Sequence, residues 1–358
     1  MKKQLIVIKS GTSSLVGADA SLAPEKVRNI VRQVADLRDA GHSVVIVTSG
    51  SIAAGWRRLG YGARPSSVAA RQACAACGQG LLMEEYNRFL CERGYSAAQL
   101  LVTRGDLADR RRFANAFNAL EVLIKKGAVP VINENDTVAV EELKLGDNDT
   151  LGAYVAAMLH ADLLLILTDV DGLYTADPSK DKSARLIERV ERITPQIEAI
   201  AAGAGTTNGT GGMKTKLAAA KLATRSGVPT VITSSADADA ILHAVAGEAR
   251  GTLFEAKSSL KNKQQWVAFF AHSAGNLYVD EGAARAVTDG GHSLLPAGIC
   301  ALEGDFRRGD VVNVFRAGSH EYLGRGVVQY SRDELDEVLS GDAAGAKEAI
   351  HRDDWAGE

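Results

Sequence analysis

This 358-residue sequence predicts a mostly parallel, open α/β sheet covered by helices on both faces, a three-layer sandwich, followed by a small β-barrel-like unit. Three observations predict it. Short apolar runs alternate with segments whose apolar residues recur at helical spacing. The runs end in polar loops rich in Gly, Ser, Asn and Asp, as buried parallel strands do where they deliver ligand-binding turns. Past residue 258 the strands shorten, with Gly-containing turns between them.

Taken in order, residues 4–8 form a strand that runs into Lys9-Ser10-Gly11-Thr12. Pro24 opens a helix on which Val27, Ile30, Val31, Val34 and Leu37 share a face, and Gly41 stops it. Residues 43–47 are a second strand, breaking into Thr48-Ser49-Gly50-Ser51. A helix over 67–91, a strand over 98–103, a helix over 110–126 and a strand over 129–133 follow, with Gly94 and Gly127 as stops. Residues 150–159 read as a helix, 163–167 as a fully apolar strand, 214–226 as a helix and 228–233 as a strand. The loops after Ile8, Val47, Val131 and Leu167 then share one edge of the sheet, where such folds bind ligands. Residues 1–257 are therefore expected to form one domain, and the lysine-bearing stretch 258–274 a linker. Residues 275–355 are expected to form a second domain, with strands over 277–279, 299–301, 311–315 and 326–328.

At 46% hydrophobic and 24% charged, the composition is that of a folded globular chain. With 41 Lys and Arg against 44 Asp and Glu, the net charge of −3 gives no basic field to attract nucleic acid or an anionic membrane. The longest uncharged stretch, 40–56, and the more apolar 150–161 both fall short of the roughly 20 apolar residues that span a bilayer. Between Gln4 and Lys9 stand only four apolar residues, too few for a secretory signal, so a cytoplasmic protein is expected. Cys74 and Cys77 form a C-x-x-C with no second pair or suitably spaced His, and read as small thiols on an apolar helix face.

The chemistry concentrates in the loops. Gly209-Thr210-Gly211-Gly212-Met213-Lys214-Thr215-Lys216 directly precedes an Ala-rich helix. Consecutive glycines let backbone N–H groups close on phosphate oxygens, and the helix start adds partial positive charge. A Walker A loop is excluded: Gly50 and Gly55 have the glycine spacing, but Trp56 follows them. Lys9 stands where a buried strand meets Gly11. Two lysines from opposite ends of a domain can clamp a transferring phosphoryl group with no proton transfer. Asn133-Glu134-Asn135-Asp136 follows a strand, Gly146-Asp147-Asn148-Asp149 precedes a helix, and Glu141-Glu142 lies between them. Thr168-Asp169-Val170-Asp171-Gly172 ends another strand. Their carboxylates suit an ammonium group, a lysine that needs orienting, or Mg2+.

These motifs, with Lys9 to Ser13, Val47-Thr48-Ser49-Gly50 and Gly172-Leu173-Tyr174, resemble in order and spacing the amino-acid kinase family, and within it the glutamate 5-kinases. Leu294-Leu295-Pro296-Ala297-Gly298, the stretch 304–310 and His351-Arg352-Asp353-Asp354 resemble the PUA domain and tail of its longer members. The resemblance implies the amino-acid kinase fold. It also implies ATP-dependent phosphorylation of the γ-carboxylate of L-glutamate to L-glutamyl 5-phosphate, the first step of proline biosynthesis. Lys9 and Lys216 would bind the ATP phosphates and stabilise the group in transit, with Asp149 holding both lysines. Ser49, Asp136 and Asn148 would bind glutamate, Asp136 facing the α-ammonium. Thr168 and Asp169 would lie by the nucleotide, and Thr210, Gly211, Gly212, Met213, Lys214, Thr215 and Lys216 would cover its phosphates. Two positions depart from the family pattern, Ser10 in place of an apolar residue and Lys214 as an added cation.

The implied cofactors are ATP and Mg2+, and no metal-ligating side chain is assigned. The implied partners are further copies of the kinase domain, a glutamyl-phosphate reductase and proline as feedback inhibitor. A γ-carboxylate with a pKa of about 4.3 is already ionised at neutral pH and needs no general base. None of the seven histidines joins the clusters above. Two alternatives stand beside this reading. One is a family member acting on N-acetylglutamate, aspartate, carbamate or UMP; a carboxylate at Asp136 argues against an acetylated amine. The other is an RNA-associated PUA protein. Residues 276–345 carry six arginines and no lysine against twelve carboxylates, the wrong sign for a phosphate backbone.

Overall fold

A computed structural model describes residues 2–139, 148–203, 212–256, 262–289, 291–341 and 347–357. The chain divides into two compact units, residues 1–106 with 111–259 and residues 107–110 with 260–358.

The first unit is built on eight strands: β1 (Leu5–Ser10), β2 (Ser43–Val47), β3 (Ala97–Val102), β4 (Val129–Glu134), β5 (Leu163–Thr168), β6 (Arg189–Val190), β7 (Thr230–Ser234) and β8 (Gly251–Phe254). They form one sheet in the order β3-β4-β2-β1-β5-β7-β8-β6. The pairs from β3 through β7 are parallel; β8 runs antiparallel to β7, and β6 parallel to β8. The expected, mostly parallel sheet is present. Its reversed edge went unread because strands of two and four residues are too short to show a period.

Central strands are apolar on both faces because helices cover both. Helix Pro24–Asp39 buries Val27, Ile30, Val31, Val34 and Leu37, each contributing about 1.5–3 kcal/mol on removal from water. Helix Val68–Glu92, capped by Ser67 Oγ accepting from Ala70 N–H, buries Leu82, Tyr86, Phe89 and Leu90. Helix Asn148–Met158 is buried on every side from Leu151 to Met158, and its Ala and Gly content lets it sit tightly on the sheet. The register sets Lys9 opposite Val47 on one side and Ile166 on the other, with Val47 opposite Ile132. The carboxyl ends of β1, β2, β4 and β5 thus form one row, and their polar loops share one edge.

The second unit carries β9 (Ser273–Val279), β10 (Ile299–Gly304), β11 (Val311–Arg316), β12 (Tyr322–Val328) and β13 (Ile350–Gly357) in a sheet of order β10-β9-β11-β12-β13. Its core includes Leu277, Phe306, Val312, Val314, Leu335, Ile350 and Trp355. The fifth strand is spelled His351-Arg352-Asp353-Asp354 at its centre, so alternation alone does not reveal it. Helix Arg332–Ser340 starts with a capping box between Ser331 and Glu334. Within the stretch expected to be a linker, Asn262–Gln265 is helical and continues as a π-helical turn, Trp266–Phe270. Val267 and Ala271 are buried there against Val311 and Ala356. The lysines of 257–263 obscured this apolar face in the sequence.

Candidate active site

Strand β1 is apolar up to Ile8 and then delivers Lys9, only 6% exposed, to the carboxyl edge of the sheet. Two glycines make room for it. A methyl group on Gly11 would lie 3.2 Å from Lys9 Nζ, and one on Gly152 would lie 3.1 Å from its Cβ. From the far side of the unit comes helix Met213–Arg225. Its N-cap, Gly212, is extended, and no side-chain cap bond is made there. The Thr215 N–H donates to the Gly212 carbonyl at 3.1 Å, and a helix start of this kind carries partial positive charge. On this helix Lys216 is buried, at 6% exposure, while Lys214 is exposed; two residues are a little over half a turn.

The two buried lysines meet at one carboxylate. Lys9 Nζ pairs with Asp149 Oδ1, and Lys216 Nζ lies 3.3 Å from Asp149 Oδ2. Thr215 Oγ1 is also 3.1 Å from Asp149 Oδ2, and 2.9 Å from the Gly212 carbonyl. Asp149 is 2% exposed. Burial opposes its ionisation, but the charges of Lys9 and Lys216 and their hydrogen bonds outweigh this and hold its pKa below the ordinary carboxylate value. One buried anion thus fixes two ammonium groups whose mutual repulsion would otherwise drive them apart.

The next residue towards the N-terminus, Asn148, faces β2. Its Nδ2, with two hydrogens to donate, lies within bonding distance of three acceptors, the Thr48 carbonyl at 2.8 Å, Ser49 Oγ at 2.9 Å and Asn133 Oδ1 at 3.0 Å. Gly50, with φ of 99°, turns the chain from β2 into the short helix Ser51–Gly55. Ser51 Oγ donates to Asp136 Oδ2 at 2.6 Å. Burial raises the Asp136 pKa above its ordinary value, against the lowering effects of Ser51, Arg71 and Arg64. Helix Ser51–Gly55 is seated by a backbone contact with helix Val68–Glu92. A methyl group on Gly78 would lie 1.9 Å from the Ser51 carbonyl, and one on Gly55 would lie 2.0 Å from that of Cys74. At the end of β5, Thr168 is buried; its Oγ1 donates to Asp169 Oδ1 at 3.0 Å, and its carbonyl accepts from Ser235 N–H.

The structure therefore joins Lys9, Asp149, Thr215 and Lys216 in one cluster. Ser49 and Asn148 join in a second, adjacent through the 148–149 peptide, and Asp136 joins Ser51 in a third contact. Met213 is buried and Gly212 half-buried at the helix start. Thr210 and Gly211, like the residues from 140 to Asp147, lie outside the described residues. Reading the sequence alone did not single out Ser51, the partner of Asp136, which a Gly-Ser pair opening a helix could have flagged. Among the described residues no group of three His, Cys, Asp or Glu side chains is placed to hold a metal ion. Among them, too, no helix is long and apolar enough to cross a membrane.

Residues 4–234 match the model of the amino acid kinase family, and residues 275–349 that of the PUA domain. The glutamate 5-kinase of Streptococcus sanguinis SK36 is 52% identical over 99% of this chain and 96% of its own. The chain belongs to the glutamate 5-kinase branch of the amino acid kinase family. A glutamate 5-kinase of Streptococcus suis is 51% identical over 99% of both chains. Among solved structures, carbamate kinase from Giardia lamblia bound to AMP-PNP has a TM-score of 0.51 at 19% identity, over 72% of this chain and 99% of that one. UMP kinase from Ureaplasma parvum has a TM-score of 0.51 at 18% identity, over 71% and 100%. Likeness at that distance concerns the fold: the kinase unit shares its architecture with enzymes whose acceptors differ.

Proposed function

We propose that the protein transfers the γ-phosphoryl group of ATP to the γ-carboxylate of L-glutamate, forming L-glutamyl 5-phosphate on the route to proline. One observation carries the mechanism: Lys9 and Lys216, from opposite ends of the kinase unit, are both buried and both turned to Asp149. Two fixed cations at a sheet edge, beside a glycine-capped helix start, suit a triphosphate and stabilise the charge that passes between donor and acceptor oxygens. The acceptor carboxylate is ionised at neutral pH, so the site supplies position and charge, and no side chain need take a proton. Asp149 acts through the lysines as a positioning residue.

Acceptor binding is assigned to Ser49, Asp136 and Asn148. A partly desolvated carboxylate at Asp136 favours a free ammonium and disfavours an acetylated amine. Thr168 and Asp169 would border the nucleotide, and the helix start from Gly212 to Lys216, with Thr210 and Gly211, its phosphates. Mg2+ would enter on the phosphate oxygens, where its role is to neutralise charge and hold the oxygens in place. Family membership extends the proposal to a cytoplasmic homo-oligomer, to inhibition by proline, and to hand-over of the labile acyl phosphate to a reductase.

Trapping the product as hydroxamate, with ATP, Mg2+ and hydroxylamine, tests the reading. Glutamate should be turned over well ahead of N-acetylglutamate, aspartate and glutarate. Equal turnover of N-acetylglutamate would remove the assignment.

A further inference from the structure

We propose that Gln79 is a positioning residue for the acceptor site, acting through Asn133 on Asn148; the proposal rests on the reading of Ser49 and Asn148 as acceptor-binding residues. Four side-chain amides form one chain. Asn148 Nδ2 donates to Asn133 Oδ1 at 3.0 Å, Asn133 Nδ2 to Gln79 Oε1 at 2.9 Å, and Gln79 Nε2 to Gln99 Oε1 at 2.9 Å. The chain runs from the exposed edge strand β3, across helix Val68–Glu92, to the end of β4 and the start of helix Asn148–Met158.

A carboxamide can be turned end for end with little change of shape, so such a chain has two possible polarities. Backbone groups select one. The Glu134 N–H, which can only donate, donates to Asn133 Oδ1 at 2.9 Å. The Thr48 carbonyl, which can only accept, accepts from Asn148 Nδ2 at 2.8 Å. With both asparagines so oriented, Asn133 must present its NH2 to residue 79. Asn133 is 1% exposed, so a donor left without an acceptor there would carry its full desolvation penalty. Gln79 Oε1 supplies the acceptor. Without it the favourable response is to turn Asn133 over, which sets NH2 against the Glu134 N–H and against Asn148 Nδ2, and loosens Asn148 from Thr48 and Ser49. The lysine clamp is held separately, by the ion pairs of Asp149, so the disturbance falls on the acceptor and spares the nucleotide.

The test compares Gln79→Met, Gln79→Glu and Gln79→Lys in the full chain. Glutamate binding is read by titration calorimetry, KM for both substrates and kcat by the hydroxamate assay, and folding by thermal melts. Gln79→Met should raise Kd and KM for glutamate about tenfold, with kcat and the KM for ATP within about twofold of the unsubstituted enzyme. Gln79→Glu, whose carboxylate accepts the Asn133 bond, should return glutamate binding to within about threefold. Gln79→Lys, a donor facing a donor, should do no better than Met. Simple charge attraction gives the opposite order, because a lysine would favour an anionic acceptor and a glutamate would repel it. The Glu-to-Lys order decides even where all three variants melt lower. A lysine variant that binds glutamate as well as the glutamate variant does, or a methionine variant unchanged, would overturn the proposal. So would an equal loss of ATP binding. Absence of glutamate turnover by the unsubstituted enzyme would refute the functional reading, and this proposal with it; normal turnover with the order reversed refutes this proposal alone.

Discussion

Replacing Gly78 by alanine and, separately, Gly80 by alanine makes the same chemical change two positions apart on one helix, and the structure assigns the two variants opposite signs. Alanine in a helix interior is favoured over glycine by about 1 kcal/mol, through the backbone entropy of the unfolded chain and helix propensity. At Gly80 an added methyl group meets nothing within 4 Å, so that gain should appear undiminished. At Gly78 the methyl carbon would lie 1.9 Å from the Ser51 carbonyl oxygen and 2.5 Å from the Gly55 nitrogen. Both are backbone atoms, and no side-chain rotation relieves them. Restoring ordinary contact of about 3.4 Å requires the helices to part by about 1.5 Å. Overpacking of this kind costs about 3 kcal/mol at the upper end of its usual range, so the net loss is about 2 kcal/mol. For a unit of this size the melting temperature should fall by about 4–8 °C for Gly78→Ala and rise by about 2–4 °C for Gly80→Ala. The same displacement carries Ser51 out of reach of Asp136, now 2.6 Å away, so Gly78→Ala should also raise the KM for glutamate. Thermal and denaturant unfolding, with glutamate kinetics, provide the assay. A Gly78→Ala protein as stabilised as Gly80→Ala, with an unchanged KM, would refute the close helix contact and the seating of Ser51 that depends on it.

Lys216→Ala should lower kcat by about 10²–10³, the loss typical of removing a preorganised charge from a transition state. Lys214→Ala, at an exposed position two residues away, should lower it no more than about threefold and mainly at low salt; similar losses in both variants would contradict the buried clamp. Asp149→Asn removes the anion that the two buried ammonium groups share and should destabilise the fold, by about 3–5 kcal/mol in denaturant unfolding; a loss below about 1 kcal/mol would show that this shared pairing does not hold the lysines. Acidification should affect the two halves of the site in sequence. The folded-state pKa of Asp136 is raised by burial, so its proton returns, and glutamate affinity falls, while the pH is still above the ordinary aspartate value. The folded-state pKa of Asp149 is lowered, so its contribution to stability is present above the unfolded value and is lost only as the pH falls through the lower folded one. Binding titrations should therefore show glutamate lost before ATP on the acid side. The γ-carboxylate of the substrate itself takes up a proton at a pH of about 4.3, so Asp136→Asn should alter the acid limb of glutamate binding without abolishing it; a limb identical to that of the unsubstituted enzyme would show that Asp136 is not a source.

The sequence by itself determined the layered architecture and where ligands collect. Strand and helix periods are local, and uninterrupted apolar runs such as residues 163–167 reveal strands covered on both faces. Glycines and asparagines after those runs then mark the loops. The same local logic overlooked the two-residue edge strand β6 and its four-residue neighbour β8, and it misjudged the polar fifth strand of the second unit and the apolar face within 262–271. In those segments burial is decided by partners distant in the chain, and little of it is written into the local pattern.

Only the tertiary structure decided which residues act together. The family resemblance implied that Asp149 holds both Lys9 and Lys216, but no local pattern between them does, and none turns Lys214 to solvent; sheet order and helix rotation set that. The polarity of the Asn148–Asn133–Gln79 amides depends on two peptide groups at the ends of different strands. The need for glycine at position 78 depends on a carbonyl 27 positions away. Hydrogen bonds and van der Waals contacts act over a few ångströms of space, and the fold, far more than the spacing along the chain, chooses which atoms come within that range.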